Sequence, residues 1–149
     1  MGGVVMFGIV SVTKKFEFHA AHRLENHKGA CFNLHGHTWY LDVTVSGFVN
    51  DYTGMITDFT VLKELVKPTV DKLDHAYLNE AVSFEPTVEN LIQHIAREIS
   101  TAIVNFAKRV SEISYIAPKN LRLVRLRLHE TPSSYAEWEP YTYTGGKLC

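Results

Sequence analysis

The chain has 149 residues and a formal net charge of −1, with 15 Lys and Arg against 16 Asp and Glu, so it carries no basic field for nucleic acid. Its 46% hydrophobic and 21% charged residues suit one globular domain over residues 1–149, and no run reaches the roughly 18–20 apolar residues of a membrane-spanning helix. Two cysteines, one of them the terminal Cys149, build no disulfide framework, which makes a reducing cytoplasm the expected compartment.

Met1–Val12 lacks a basic n-region and a small-residue cleavage site, and it runs straight into an alternating pattern, so it reads as strand and not as signal peptide. From Ile9 to His22, Val10, Val12, Phe16, Phe18, Ala20 and His22 share one face, with Lys14 the exception. Ser11, Thr13, Lys15, Glu17 and His19 share the other. This is the period of a half-buried antiparallel strand, and it puts His22 toward the core and His19 toward solvent. The connection Arg23–Leu34 is long for a hairpin and carries Cys31, as a loop that holds function would. In the next strand His35, His37, Trp39, Leu41, Val43 and Val45 share parity against Asp42, Thr44 and Ser46.

Asp58 reads as the N-cap of a helix whose apolar stripe is Phe59, Leu62, Val66, Val70 and Leu73. Lys72-Leu73-Asp74-His75 falls where that helix ends. Pro86-Thr87 opens a second helix with Val88, Leu91, Ile92, Ile95, Ile99 and Ile103 as its stripe. Ser111–Asn120, with Pro118, reads as a loop. Leu121–Glu130 is again a strand, with Val124, Leu126, Leu128 and Glu130 on one face and Arg125, Arg127 and His129 on the other. Tyr135–Pro140 reads as a short last strand. The order ββααββ predicts an α+β fold: an antiparallel sheet with two helices on one face.

Three histidines, His22, His35 and His37, thus start from the inward faces of two strands, and each buried imidazole needs partners for both nitrogens. The pattern suits zinc, which needs three such donors and leaves a fourth position for substrate when the site is catalytic. Cys31 either completes that shell or works beside it as a base or nucleophile. Glu130 continues an apolar row, which is costly for a carboxylate unless it is paired or bonded to a ligand.

Ala21-His22-Arg23-Leu24, Cys31-X-X-X-His35-Gly36-His37, Leu73-Asp74-His75, Pro86-Thr87-X-Glu89-Asn90 and His129-Glu130-Thr131 occur in the order seen in the 6-pyruvoyltetrahydropterin synthase family, and the chain resembles that family from about Phe16 to Trp138. The resemblance implies the tunnelling fold (T-fold), in which ββααββ subunits join their sheets into a barrel. It also implies a homo-oligomer, usually trimers stacked into hexamers, with active sites at subunit interfaces. His22, His35 and His37 match the family's zinc ligands and Cys31 its catalytic thiol. Asp74 and His75 match its relay partners, and Glu130 matches the acid that anchors the pterin ring. Thr87 matches a pterin-contacting threonine, although it is equally a good N-cap; Glu89 and Asn90 belong to the motif but also suit the first turn of a helix.

The short spacing from Cys31 to His-Gly-His resembles the 6-carboxytetrahydropterin synthase branch, of the queuosine pathway. That branch converts 7,8-dihydroneopterin triphosphate to 6-carboxytetrahydropterin, acetaldehyde and triphosphate. The alternatives are a 6-pyruvoyltetrahydropterin synthase that loses triphosphate only, a zinc hydratase or hydrolase that would leave Cys31 and Glu130 unexplained, and a non-catalytic zinc- or pterin-binding module.

Overall fold

The computed structural model describes residues 8–111 and 118–141. The Met1–Phe7 extension, the middle of the Ser111–Asn120 connection and Cys149 lie outside the described residues. Strand β1 (Val10–His22) pairs antiparallel with β2 (His35–Phe48), which pairs antiparallel with β4 (Lys119–Thr131), and β4 with β5 (Ser134–Trp138). Helices α1 (Phe59–Leu73) and α3 (Val88–Ser111) pack on the sheet, with a single-turn helix α2 (Leu78–Ala81) between them. The predicted order holds with two short additions, α2 and one further strand. A two-residue strand, β3 (Ala76–Tyr77), lies parallel to β1 at its outer edge, so the sheet order is β3-β1-β2-β4-β5 and the sheet is not wholly antiparallel. Two residues are too few to show a period in sequence.

The inward rows are as the alternation predicts in β1 and β2, except that Val10 is exposed at the first position of β1. Phe18, Trp39, Leu41, Val43 and Val45 are fully buried beneath Leu62, Val66 and Leu73 of α1 and Leu91, Ile95, Ile99 and Ile103 of α3. Thr44 and Ser46 are buried as well, because β2 is central: Thr44 shares a hydroxyl bond with Thr13 (2.7 Å), and Arg122 Nε donates to Ser46 Oγ at 3.4 Å. Asp58 caps α1 as expected, its Oδ1 accepting from Thr60 N–H at 2.6 Å. Phe59 is a correction: it is 49% exposed and lies under Lys14 instead of joining the stripe, since it is the first helical residue and precedes the packed turns.

Strand β4 departs from simple alternation. Val45 pairs with Leu123 and Thr44 with Arg125, so Val124 is an extra residue, a β-bulge. The bulge moves Leu121 and Leu123 into the core row and puts Val124 on the far side beside Ser11 and Thr44. A second irregularity falls between Ser46 and Phe48, where Asn120 takes a left-handed φ of 55° and a Cβ on Gly47 would come 3.1 Å from the Lys119 carbonyl. A third places Glu130 as the unpaired residue between the pairs His129–Tyr135 and Thr131–Ser134.

Candidate metal centre and active site

Strand register assembles the three histidines. His22 is directly opposite His35, and His37 is opposite Ala20, whose small side chain leaves room for the imidazole. The three rings surround one point, with centroids 4.6 Å (His22–His35), 4.9 Å (His35–His37) and 5.2 Å (His22–His37) apart. One nitrogen from each lies within 4.8 Å of the others, and this is the one such group of potential metal ligands among the described residues. Trp39 forms the floor, its ring edge-on to His22 (5.3 Å) and His37 (5.4 Å), fixed by its own Nε1–H to the Ala20 carbonyl at 3.3 Å and by stacking on Phe18.

Backbone carbonyls settle which nitrogens face the centre. His22 Nδ1 lies 2.8 Å from the Pro86 carbonyl and His35 Nδ1 lies 2.8 Å from the Asn33 carbonyl. A carbonyl only accepts, so both Nδ1 atoms carry a proton, and in the neutral ring the lone pair is the one on Nε2. His22 is fully buried, and the Nε2 atoms of His22 and His37 have no hydrogen-bond partner. Burial pushes the His37 imidazole below its ordinary pKa; the Glu130 charge opposes this, and the neighbouring His22 and His35 add to it. The donor set is therefore convergent, with two of its nitrogens unsatisfied, and an unsatisfied buried polar atom costs about 1–3 kcal/mol. It fits a zinc-like cation, whose histidine ligands characteristically donate their second N–H to carbonyls or carboxylates.

Glu130 enters the same space from its bulge. Its Oε1 is 3.2 Å from His22 Nε2 and 3.7 Å from His37 Nε2. The structure thus brings His22, His35, His37 and Glu130 together. Cys31 sits half-buried in a 3-10 turn (Ala30–Phe32) of the preceding loop, and its sulfur is not one of the grouped donors.

Asp74 and His75 pair with each other, His75 Nδ1 lying 3.0 Å from Asp74 Oδ2. They are held at the edge of β1: Asp74 Oδ1 accepts from the His19 N–H (2.8 Å), and the His75 N–H donates to the His19 carbonyl (2.6 Å). That grip holds the Asp74 carboxyl below its ordinary pKa, the His19 N–H being the largest cause. It also keeps His75 in a left-handed conformation, φ 56°, uncommon for a residue with a Cβ. The His75 side chain is 78% exposed beside the outward-facing ring of His19, along an open groove of about 500 Å³ that Thr38, Gly36 and His37 also line. Among the described residues no hydrogen bond, ion pair or ring contact joins Cys31, or the Asp74–His75 pair, to the three histidines.

Thr87 lies next to Pro86 and caps α3, its Oγ1 accepting from the Asn90 N–H at 3.2 Å. The Asn90 side chain holds the Glu85 carbonyl at 3.0 Å, so this motif residue braces the turn that supplies the carbonyl for His22. Sequence reading did not single out Trp39 as part of the site, although its parity with His35 and His37 was the available signal. The carbonyls of Pro86 and Asn33 leave no such signal.

Sheet, helices and histidine trio define the class: an α+β protein with a candidate metal centre on the helix-covered face of its sheet. A family model described as 6-pyruvoyl tetrahydropterin synthase matches residues 11–140, and the chain belongs to that family. The 6-carboxy-5,6,7,8-tetrahydropterin synthase of Haemophilus influenzae is 32% identical over 145 residues, covering 86% of this chain and 97% of that protein. The 6-pyruvoyl tetrahydrobiopterin synthase of Dictyostelium discoideum is 35% identical over 116 residues, covering 68% and 86%. Among solved structures, Caenorhabditis elegans 6-pyruvoyl tetrahydropterin synthase superposes with a TM-score of 0.73 at 23% identity, over 91% of this chain and 98% of that one, a likeness of fold. The fold is the T-fold expected from the resemblance. No helix among the described residues is long and apolar enough to cross a membrane.

Proposed function

We propose that the chain is a zinc-dependent 6-carboxy-5,6,7,8-tetrahydropterin synthase, one T-fold domain over residues 1–149, that converts 7,8-dihydroneopterin triphosphate and water to 6-carboxytetrahydropterin, acetaldehyde and triphosphate. The observation that carries the reading is the convergence of three imidazoles, two of them with an unsatisfied nitrogen, with Glu130 in a chain of this family. The carboxypterin product is supported by the short Cys31–His35 spacing and by the Haemophilus relative.

His22, His35 and His37 would hold the zinc ion. When bound, the ion supplies Lewis acidity to the hydroxyls of the substrate side chain and to the adjoining C–H bonds. Glu130 holds the pterin, its carboxylate accepting two parallel hydrogen bonds from the 2-amino group and the ring N3–H. Its place beside the trio puts the side chain of the bound pterin near the histidines. Cys31, as thiolate, takes a proton from the side chain. In the Asp74–His75 pair the carboxylate accepts the Nδ1–H, which leaves His75 Nε2 to exchange a proton with the thiol. The Thr87 hydroxyl, accepting from Asn90, retains its own proton to donate to the pterin.

Among the described residues no hydrogen bond or ion pair joins Cys31 to the Asp74–His75 pair, which supports a site shared between copies, and so the homohexamer, a dimer of trimers, that the family resemblance implies. The queuosine pathway and a cytoplasmic location complete the reading. The Dictyostelium relative favours the second reading, release of triphosphate alone with the pyruvoyl side chain retained. Incubating zinc-loaded protein with 7,8-dihydroneopterin triphosphate and identifying every product by mass spectrometry tests both. Acetaldehyde with carboxypterin is the expected outcome; the pyruvoyl compound establishes the second reading, and no turnover with zinc and pterin bound leaves a binding module.

A further inference from the structure

The loop that carries Cys31 leaves β1 directly after His22. Phe32 N–H to the Gly29 carbonyl (3.1 Å) and Asn33 N–H to the Ala30 carbonyl (3.0 Å) close the turn around Cys31, and that turn is tied to the end of β1 by Leu24 N–H, which donates to the Cys31 carbonyl at 2.8 Å, while His27 N–H donates to the Leu24 carbonyl at 3.2 Å. Leu24 is the partner of Cys31, so the placement of the thiol depends on where Arg23 and Leu24 are held. The sheet cannot hold them, since β3 pairs with β1 only at Ala20 and Ala21.

The side chain of Asn79, in α2, takes over where β3 ends. Arg23 N–H donates to Asn79 Oδ1 at 3.0 Å, and Asn79 Nδ2 donates to the Arg23 carbonyl at 2.9 Å. One carboxamide offers an acceptor and a donor to both polar groups of one residue, as the next residue of a paired strand would. Glu85 Oε1 adds a further anchor at the Asn26 N–H, 3.2 Å away. These bonds are exposed, so water can replace them at small cost to stability. Water cannot replace the direction they impose.

We propose that Asn79 is a positioning residue whose carboxamide clamps the Arg23 backbone and thereby sets the place of Cys31 for proton transfer. This rests on the reading of Cys31 as the working thiol. A misplacement of about 1 Å can cost about 10²-fold in rate, far more than the loss of two exposed hydrogen bonds predicts from stability alone.

The test compares zinc-loaded Asn79→Ala and Asn79→Asp with the parent, all in a Cys149→Ser background. Asn79→Asp keeps the acceptor for Arg23 N–H but turns a carboxylate toward the Arg23 carbonyl, so it halves the clamp. The measurements are steady-state turnover of 7,8-dihydroneopterin triphosphate, the rate of Cys31 alkylation by iodoacetamide, and hydrogen exchange across Arg23–Cys31. In Asn79→Ala, kcat should fall roughly 10- to 100-fold with KM nearly constant. Cys31 alkylation should change by about threefold or more, and exchange should speed up, while Asn79→Asp falls between. A kcat within about twofold of the parent overturns the proposal, as does a loss of kcat without a change in alkylation. If the parent itself does not turn the pterin over, the proposed function fails separately; alkylation and exchange then decide the clamp, unchanged values overturning it.

Discussion

Glu130 Oε1 stands 3.2 Å from His22 Nε2, on the opposite side of the imidazole from the proton that Nδ1 gives to Pro86. With that proton committed, two lone pairs face each other, and they repel unless a cation or an added proton accompanies them. Glu130→Gln removes the negative charge while keeping the shape. The expected outcome is a metal-free protein at least as stable as the parent, with pterin affinity reduced by about 10²-fold through loss of a charge-assisted pair. Thermal unfolding and pterin titration check the two halves.

Metal removal acts in the other direction. A cation present at about 1,000 times its Kd stabilises the native state by about 4 kcal/mol. Chelation should therefore lower Tm by roughly 10 °C and abolish turnover, with elemental analysis giving one zinc per chain beforehand. His22→Ala, His35→Ala and His37→Ala should each remove the metal. Full zinc occupancy in any of them would show that the trio is not the donor set.

Cys31→Ala separates binding from chemistry. Its sulfur stands outside the grouped donors, so zinc content and pterin affinity should stay at the parent level. Turnover should fall by about 10²–10⁴-fold, the usual contribution of a positioned base. Undiminished turnover with zinc bound would remove the thiol from the mechanism.

Asp74 links chemistry to acid stability. Its carboxyl is depressed in the folded chain, chiefly by the His19 N–H and then by His75. A depressed acid stabilises the fold fully above its unfolded-state value, and that contribution is lost as pH falls through the lower folded-state value, because the unfolded chain binds the proton first. Asp74→Asn should flatten the fall of Tm between about pH 5 and pH 2 relative to the parent. Turnover should drop by at least about 10²-fold. An unchanged acid limb in Asp74→Asn would show that the His19 contact does not persist in solution.

The sequence carried the histidine face because alternation is a strict counter: His22, His35, His37 and Trp39 keep the parity of Phe18 and Leu41, and the core enforces it. The apolar stripe of α3 was legible from its own period, Leu91, Ile92, Ile95, Ile99 and Ile103 recurring at helical spacing and all buried. What alternation could not reveal are features that interrupt it or ignore side chains. The Val124 bulge shifts the core row to Leu121 and Leu123, β3 is too short to have a period, and the Pro86 and Asn33 carbonyls orient imidazoles without any residue-type signal. Asp74 and His75 were legible as a motif, yet their location beside the outward-facing His19 ring follows from the turn after α1, where His75 adopts positive φ.

The Val124 bulge has a consequence for insertions and deletions. Leu121 and Leu123 face the core by odd count, and Leu126, Leu128 and Glu130 by even count, so Val124 is the spare residue that keeps the two halves of β4 in phase. A chain lacking Val124 would pair regularly through that point and still deliver Glu130 to the histidines. A chain lacking Arg127 would turn Glu130 to the opposite face of the sheet. Length change in this strand is thus absorbed where a spare residue already stands, and the bound pterin would register a change between the Val124 bulge and Glu130.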